Sequence, residues 1–323
     1  MVAHAIFAKF GKGGGRMKPI SDPKPNRWPE GKRMAFVITV DFFDAAGILT
    51  QEPRMAGREK SLSVWQYGAR RGVDRMLALF DELGVKSSWF VPGCVAQEHR
   101  ALVQRIHAAG HEIGNASFGC ENFDVLSLAQ QQDSLLRTQS TLADITGTAP
   151  TGFRSPFGNW APGFTRHLAD AGIAWSSSWR GDDLPYFHPR TEPAPPLIEL
   201  PLHYELEDEP YFSFNLYPPV PVGQPRIASY REVLGNWRQD FAGFRRFGLC
   251  LPLRLHPEII GTAGRIDMLR EFLAGVLAHD DVWTATGQEV AAWWRSQHDG
   301  NPAGHPVDVF SPLHATHETP VTP

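Results

Sequence analysis

Three kinds of side chain in this sequence can do chemistry, and they stand far apart in the chain. Asp41 and Asp44 bracket Phe42 and Phe43 at the end of an apolar run, Arg154 sits in Gly152-Phe153-Arg154-Ser155-Pro156, and His256 closes the run Leu249–Leu255. A carboxylate at a strand end can take a proton from water or hold a metal, and an imidazole with an ordinary pKa near 6.5 can deliver a proton at neutral pH. In a strand, i and i+3 point to opposite faces, so Asp41 and Asp44 share a cavity only if the strand ends or bulges between them. Phe42 and Phe43 add apolar bulk that would raise a neighbouring carboxyl by desolvation. Cys120 is the one thiol in a Gly- and Asn-containing loop. A nucleophilic thiol needs an adjacent base, and none is written near it, so the expected role is an inert, buried thiol.

Placing such residues together requires strands that alternate with helices. Met34–Val40 reads as a buried parallel strand, since it is apolar on both faces. Tyr67–Leu83 is helical with a Gly84 stop, Val85–Val91 is a strand, Ala101–Ala109 a helix, His111–Ser117 a strand and Leu126–Ile145 a long helix. Gly152–Pro156, Ile173–Trp179, Leu197–His203 and Leu249–His256 follow as strands, with helices over Thr165–Ala171, Ser229–Arg246 and Arg265–His279 and a last pair over Val282–Thr286 and Glu289–Trp294. Residues 45–66 and 204–228 read as loops. The pattern implies one parallel-sheet α/β domain. Asp41, Asp44, Arg154, Asp182, Asp183 and His256 fall at strand C-terminal ends, the face on which barrels of this kind build their sites.

Composition excludes several classes. With 323 residues, 42% apolar, 20% charged and a formal net charge of −4, the chain reads as globular, with no call for nucleic acid. No apolar run reaches the roughly 18 residues of a membrane span. Lys9, Lys12, Arg16 and Lys18 are not followed by an apolar segment, so no secretory signal is expected, and three cysteines are too few for a disulfide framework. A cytoplasmic location is the expectation. Residues 1–32 are expected to form an arm, 33–298 the barrel domain and 299–323 a loose tail.

The run Gly110-His111-Glu112-Ile113-Gly114-Asn115-Ala116-Ser117-Phe118-Gly119-Cys120 resembles a loop of the polysaccharide deacetylase (NodB-homology) superfamily. Its nearest branch in shape holds peptidoglycan-deacetylase-like proteins, cyclic imide hydrolases and metal-independent allantoinases. Gly152–Pro156, Trp175–Tyr186 with its Gly181-Asp182-Asp183-Leu184-Pro185-Tyr186, Glu199-Leu200-Pro201, Glu207–Phe212, and His256-Pro257 followed by Gly261, Arg265, Met268 and Leu269 continue the resemblance over residues 33–296. It implies a distorted (β/α)7-type barrel. In metal-dependent relatives two loop histidines bind a divalent metal with a first-strand Asp, a set that suits zinc. Ala116 and Cys120 stand at those two places here.

The resemblance therefore implies catalytic Asp41, Arg154 and His256 acting as base, orienting group and acid. Arg154 and backbone N–H groups would stabilise the oxyanion in place of a metal. Phe43, Trp89, Ser117, Phe118, Pro156, Asp183, Tyr186 and Tyr211 are the expected substrate-binding residues. No cofactor is expected. Were zinc bound, Asp44 and Cys120 would hold it, with His111 or Glu121 as replacement donors. The expected activity is hydrolysis of a small amide or cyclic imide at a non-peptide carbon–nitrogen bond. The alternatives are a metal-dependent N-acetyl sugar or peptidoglycan deacetylase, and a non-catalytic small-molecule binder. The expected partners are a small-molecule substrate and a second copy of the chain, as dimer or tetramer, with no membrane.

Overall fold

The structure is a computed structural model, and it describes residues 27–189, 194–213 and 226–309. Strand β1 (Met34–Asp41) is buried at all eight positions, as its apolar run requires. Strand β8 (Cys250–Leu255) lies along one edge of it, in register from Ala35 opposite Cys250 to Val40 opposite Leu255. Two strands share the other edge end to end. Strand β9 (Val282–Ala285) pairs with Met34–Val37, and β2 (Ser88–Val91) pairs with Thr39–Asp41. The sheet continues through β3 (Glu112–Asn115), β4 (Gly152–Phe153), β5 (Trp175–Ser176) and β7 (Ile198–Glu199), all parallel. This is the single-domain barrel-type α/β fold expected from the alternation.

Helices cover the sheet: α1 (Asp44–Gln51), α2 (Val73–Glu82), α3 (Gly93–Glu98), α4 (Arg100–Ala108), α5 (Leu128–Thr146), α6 (Phe164–Asp170), α7 (Glu209–Phe212), α8 (Tyr230–Phe247), α9 (Pro257–Ile260), α10 (Ala263–Leu277) and α11 (Gly287–Gln297). Their ends follow local chemistry. Ser127 and Gln130 form a reciprocal capping box on α5, and Gly147 ends that helix in the left-handed region at φ 78°. Thr286 and Glu289 cap α11 in the same way.

Several elements differ from expectation. Strand β6 (Tyr186–Phe187), antiparallel to β7, was not read from the sequence, and Asp44 opens a helix rather than a loop. Strands β5 and β7 are two residues each, shorter than Ile173–Trp179 and Leu197–His203. The reason lies in hydrogen bonding: the Ser177 carbonyl accepts from Arg154, and the Ser178 N–H donates to Glu199 Oε1, so side chains use groups that a ladder would otherwise pair. The tail is docked rather than loose where it is described, because Asn301 accepts from the Phe187 N–H and donates to the Phe187 carbonyl. The expected arm lies outside the described residues up to position 26, but Trp28 is 1% exposed and donates its indole N–H to the Gly248 carbonyl. No described helix is long and apolar enough to cross a membrane.

Candidate active site

The pairing of Val40 with Leu255 sets Asp41 beside His256 at the C-terminal ends of β1 and β8. Alternation along β8 turns Arg254 and His256 the same way, and alternation along β1 does so for Thr39 and Asp41. Asp41 is 0% exposed, and each of its oxygens accepts from an arginine. Nη1 of Arg154 donates to Oδ1 at 2.7 Å, and Nε of Arg254 donates to Oδ2 at 2.7 Å. Burial would raise the Asp41 carboxyl, but these two guanidinium groups and the His256 imidazole pull it down to about 2. The expected desolvation by Phe42 and Phe43 is thus overridden by charge.

Arg154 is 1% exposed and bonds to three residues of the protein. Its Nε donates to the Ser177 carbonyl, Nη2 to Ser177 Oγ, and Nη1 also to Thr39 Oγ1. Its plane lies 4.2 Å from the Phe90 ring centroid. It aims Asp41, and four of its five N–H groups are already given to Asp41, Thr39 and Ser177.

His256 is held by Asp208. Its Nδ1 is 2.6 Å from Oδ1, and its backbone N–H donates to Oδ2 at 2.8 Å. Burial alone would favour the neutral ring, yet the Asp208 carboxylate overrides it and pushes the imidazole up to about 10. The other ring nitrogen, Nε2, faces Asp41 Oδ2 at 3.8 Å. The site thus presents an ionised carboxylate opposite a protonated imidazole. Glu207 ties the rim by accepting from Arg254 Nη1 at 3.0 Å and Arg180 Nη2 at 2.6 Å.

The places inherited for a metal do not form one here. Ala116 has no donor atom. Cys120 is enclosed among Phe43 and Ala116, and burial keeps its thiol well above the usual range. Asp44, at φ 47°, turns to His99, with Oδ2 2.7 Å from Nε2. Glu121 accepts from Ser117 and Ser134, and His111 Nδ1 accepts from the Ser87 N–H, so neither replaces a missing ligand. Among the described residues, Asp44, Glu98 and His99 bring carboxylate and imidazole atoms within 4.8 Å of one another.

The expected substrate-binding residues scatter. Phe43 stacks edge-on against Phe157 below the mouth. Trp89 is sealed in the core and donates to Ser87 Oγ, so it does not reach the site. Ser117, at φ 60°, is enclosed and bonded to Glu121, and Phe118 lies under the Arg137 guanidinium on the α5 side. Pro156 is buried just beyond Arg154. The Asp183 carbonyl accepts from the N–H of Cys250, the first residue of β8, at the end of that strand remote from His256. Tyr186 donates to the Arg180 carbonyl and stacks on His305. Tyr211 donates to the Glu205 carbonyl.

Two central residues were missed. Arg254 is a charge inside the apolar strand Cys250–Leu255, two residues before His256, and that alternation with a buried charge was the available signal. Asp208 lies in the acidic run Glu207-Asp208-Glu209, where nothing local tells which acid turns inward.

With this geometry in view, comparison with known proteins is informative. The model of the polysaccharide deacetylase family matches residues 58–175. A putative polysaccharide deacetylase from Mycobacterium smegmatis superimposes with a TM-score of 0.80 and 30% identity, over 88% of this chain and 99% of that one. A peptidoglycan deacetylase of Helicobacter pylori is 24% identical, over 68% of this chain and 82% of its own. Puue allantoinase shares the fold with a TM-score of 0.73 and 21% identity, over 89% of this chain and all (100%) of its own.

Proposed function

The chain belongs to the polysaccharide deacetylase family, and on that premise we propose that it hydrolyses a non-peptide carbon–nitrogen bond in a small acyl-amino or ring-amide compound. One observation carries the proposal: Asp41 and His256 face each other across 3.8 Å with the base ionised and the acid protonated at neutral pH. Those are the states amide hydrolysis needs. Water attacks the carbonyl carbon and gives its proton to Asp41 Oδ2. The C–N bond breaks as Nε2 of His256 protonates the leaving nitrogen, and Asp41 then returns a proton to His256. The products are a carboxylic acid and an amine.

Asp208, Arg154 and Arg254 act as positioning residues. The double guanidinium clamp makes Asp41 a weak base, so slow turnover is expected. The enclosure of Asp41 and the 5% exposure of His256 favour a small reacting group over a polymer. Because the inherited ligand places do not fit a metal, no step is assigned to one. The test is a panel of ring amides and N-acetylated amines, with metal quantified in the same protein. Amine release that depends on Asp41 and His256 supports the reading. Saturable binding without release would make the chain a non-catalytic binder.

A second reading has its own observation. Among the described residues, Asp44 Oδ1 is enclosed without a hydrogen-bond partner, beside Glu98 and His99. A divalent metal held there would make the protein a metal-dependent deacetylase. The ion would polarise the carbonyl and acidify water. Activity that a chelator abolishes and zinc restores would favour it.

A further inference from the structure

A cavity of about 790 Å3 is lined by residues that follow Asp208 and His256 in the chain. Its position follows from the chain. Glu209, directly after Asp208, and Glu258, two residues after His256, both line it, so His256 and the acid that holds it each lead into its wall. That wall is held close, because a Cβ on Gly72 would stand 2.0 Å from the Pro257 carbonyl oxygen and only glycine lets the two segments meet.

Three polar atoms in the wall have no hydrogen-bond partner among the described residues: Glu258 Oε2, Thr262 Oγ1 and Arg265 Nε. Buried polar groups are almost always paired, and one left unpaired is costly. Here three fall within eight residues of chain on one cavity. Arg265 is firmly placed, since Nη1 donates to the Ile259 carbonyl at 2.9 Å and the guanidinium lies 4.8 Å from the Phe212 ring centroid. Its Nε–H remains to be matched. Arg58 and Lys60 also line it and add positive charge, while Trp65 and Phe212 supply apolar surface.

We propose that this cavity is a subsite for a carboxylate carried, on an apolar body, by the non-reacting part of the substrate. The carboxylate accepts from Arg265 Nε–H and the Thr262 hydroxyl in the planar manner that suits a guanidinium edge. Burial pushes the Glu258 carboxyl up to about 8, so at neutral pH it can donate rather than repel. Glu209 disfavours a dianion such as phosphate. The inference rests on the hydrolase reading only for calling the ligand a substrate.

The test therefore reads binding of compounds with no scissile bond. Calorimetric titration compares 3-phenylpropionate, 3-phenylpropanol and inorganic phosphate on the full-length wild type. The acid is expected to bind at least about tenfold more tightly than the alcohol or phosphate. Arg265→Gln is expected to erase that preference and Thr262→Val to reduce it several-fold with an unchanged melting temperature. Equal binding of acid and alcohol, tighter binding of phosphate, no binding, or a preference untouched by Thr262→Val would overturn the subsite. If the preference appears but no amide is ever hydrolysed, the hydrolase reading fails and the subsite stands.

Discussion

Asp208 holds His256 by two contacts, side chain to side chain at 2.6 Å and carboxylate to backbone N–H at 2.8 Å. One fixes the ring's charge and the other its place. Asp208→Asn keeps the shape and removes the charge. The imidazole should then fall from about 10 toward its ordinary 6.5, carrying the alkaline limb of kcat/KM down by about two units. A pH–rate profile checks this, and an unmoved limb would show that the His256 proton is not used.

His256→Ala and Asp41→Asn should each lower turnover about 10² to 10⁴-fold, the usual worth of general acid–base catalysis. Circular dichroism on the same samples separates lost chemistry from lost fold.

Arg254→Met should cost stability more than a surface change does. It leaves Asp41 and Glu207, 0% and 3% exposed, short of a partner. Breaking a buried pair from one side is worth about 3–5 kcal/mol, read as a fall in the denaturation midpoint. Arg254→Lys should rescue only part, because lysine lacks the fork that reaches Asp41 and Glu207 together.

Stability should peak on the acid side of neutrality. Asp41 is lower in the folded state, about 2 against 3.8, so its contribution of roughly 2 kcal/mol is present above pH 4 and lost as pH falls toward 2. His256 is higher when folded, about 10 against 6.5, so its contribution is full below 6.5 and lost as pH rises to 10. Glu258, at about 8 against 4.5, also keeps its proton in the folded state, and stability falls as pH rises through that window. Thermal melts should therefore give a higher midpoint at pH 5 than at pH 8.5. The reverse order would mean that these groups are hydrated rather than enclosed.

Cys120→Ser should leave turnover and metal content nearly unchanged, since the thiol packs among Phe43 and Ala116. Loss of bound metal in that variant would restore Cys120 as a ligand.

Much of the fold was legible because its signals are local and periodic. The buried run of β1, the long helix that became α5 and the apolar β8 read directly. The three chemical residues lie together, Arg154 bonded to Asp41 and His256 3.8 Å from it. What could not be read depends on contacts between distant segments. Which acid of Glu207-Asp208-Glu209 turns inward is decided by the His256 backbone, and the shortness of β5 is decided by Arg154 taking the Ser177 carbonyl. Asp183 was misplaced because a loop between strands carries no sign of which barrel end it visits. The Asp41 clamp was invisible without knowing that Arg254 faces inward.

The most direct test of the central claim is amine release from a ring-amide and N-acetyl-amine panel by protein stripped of metal with a chelator, wild type beside Asp41→Asn. The stripped wild type is expected to release amine slowly, and the variant at least a hundredfold less. No release by the stripped wild type, with full activity on adding zinc, would contradict it.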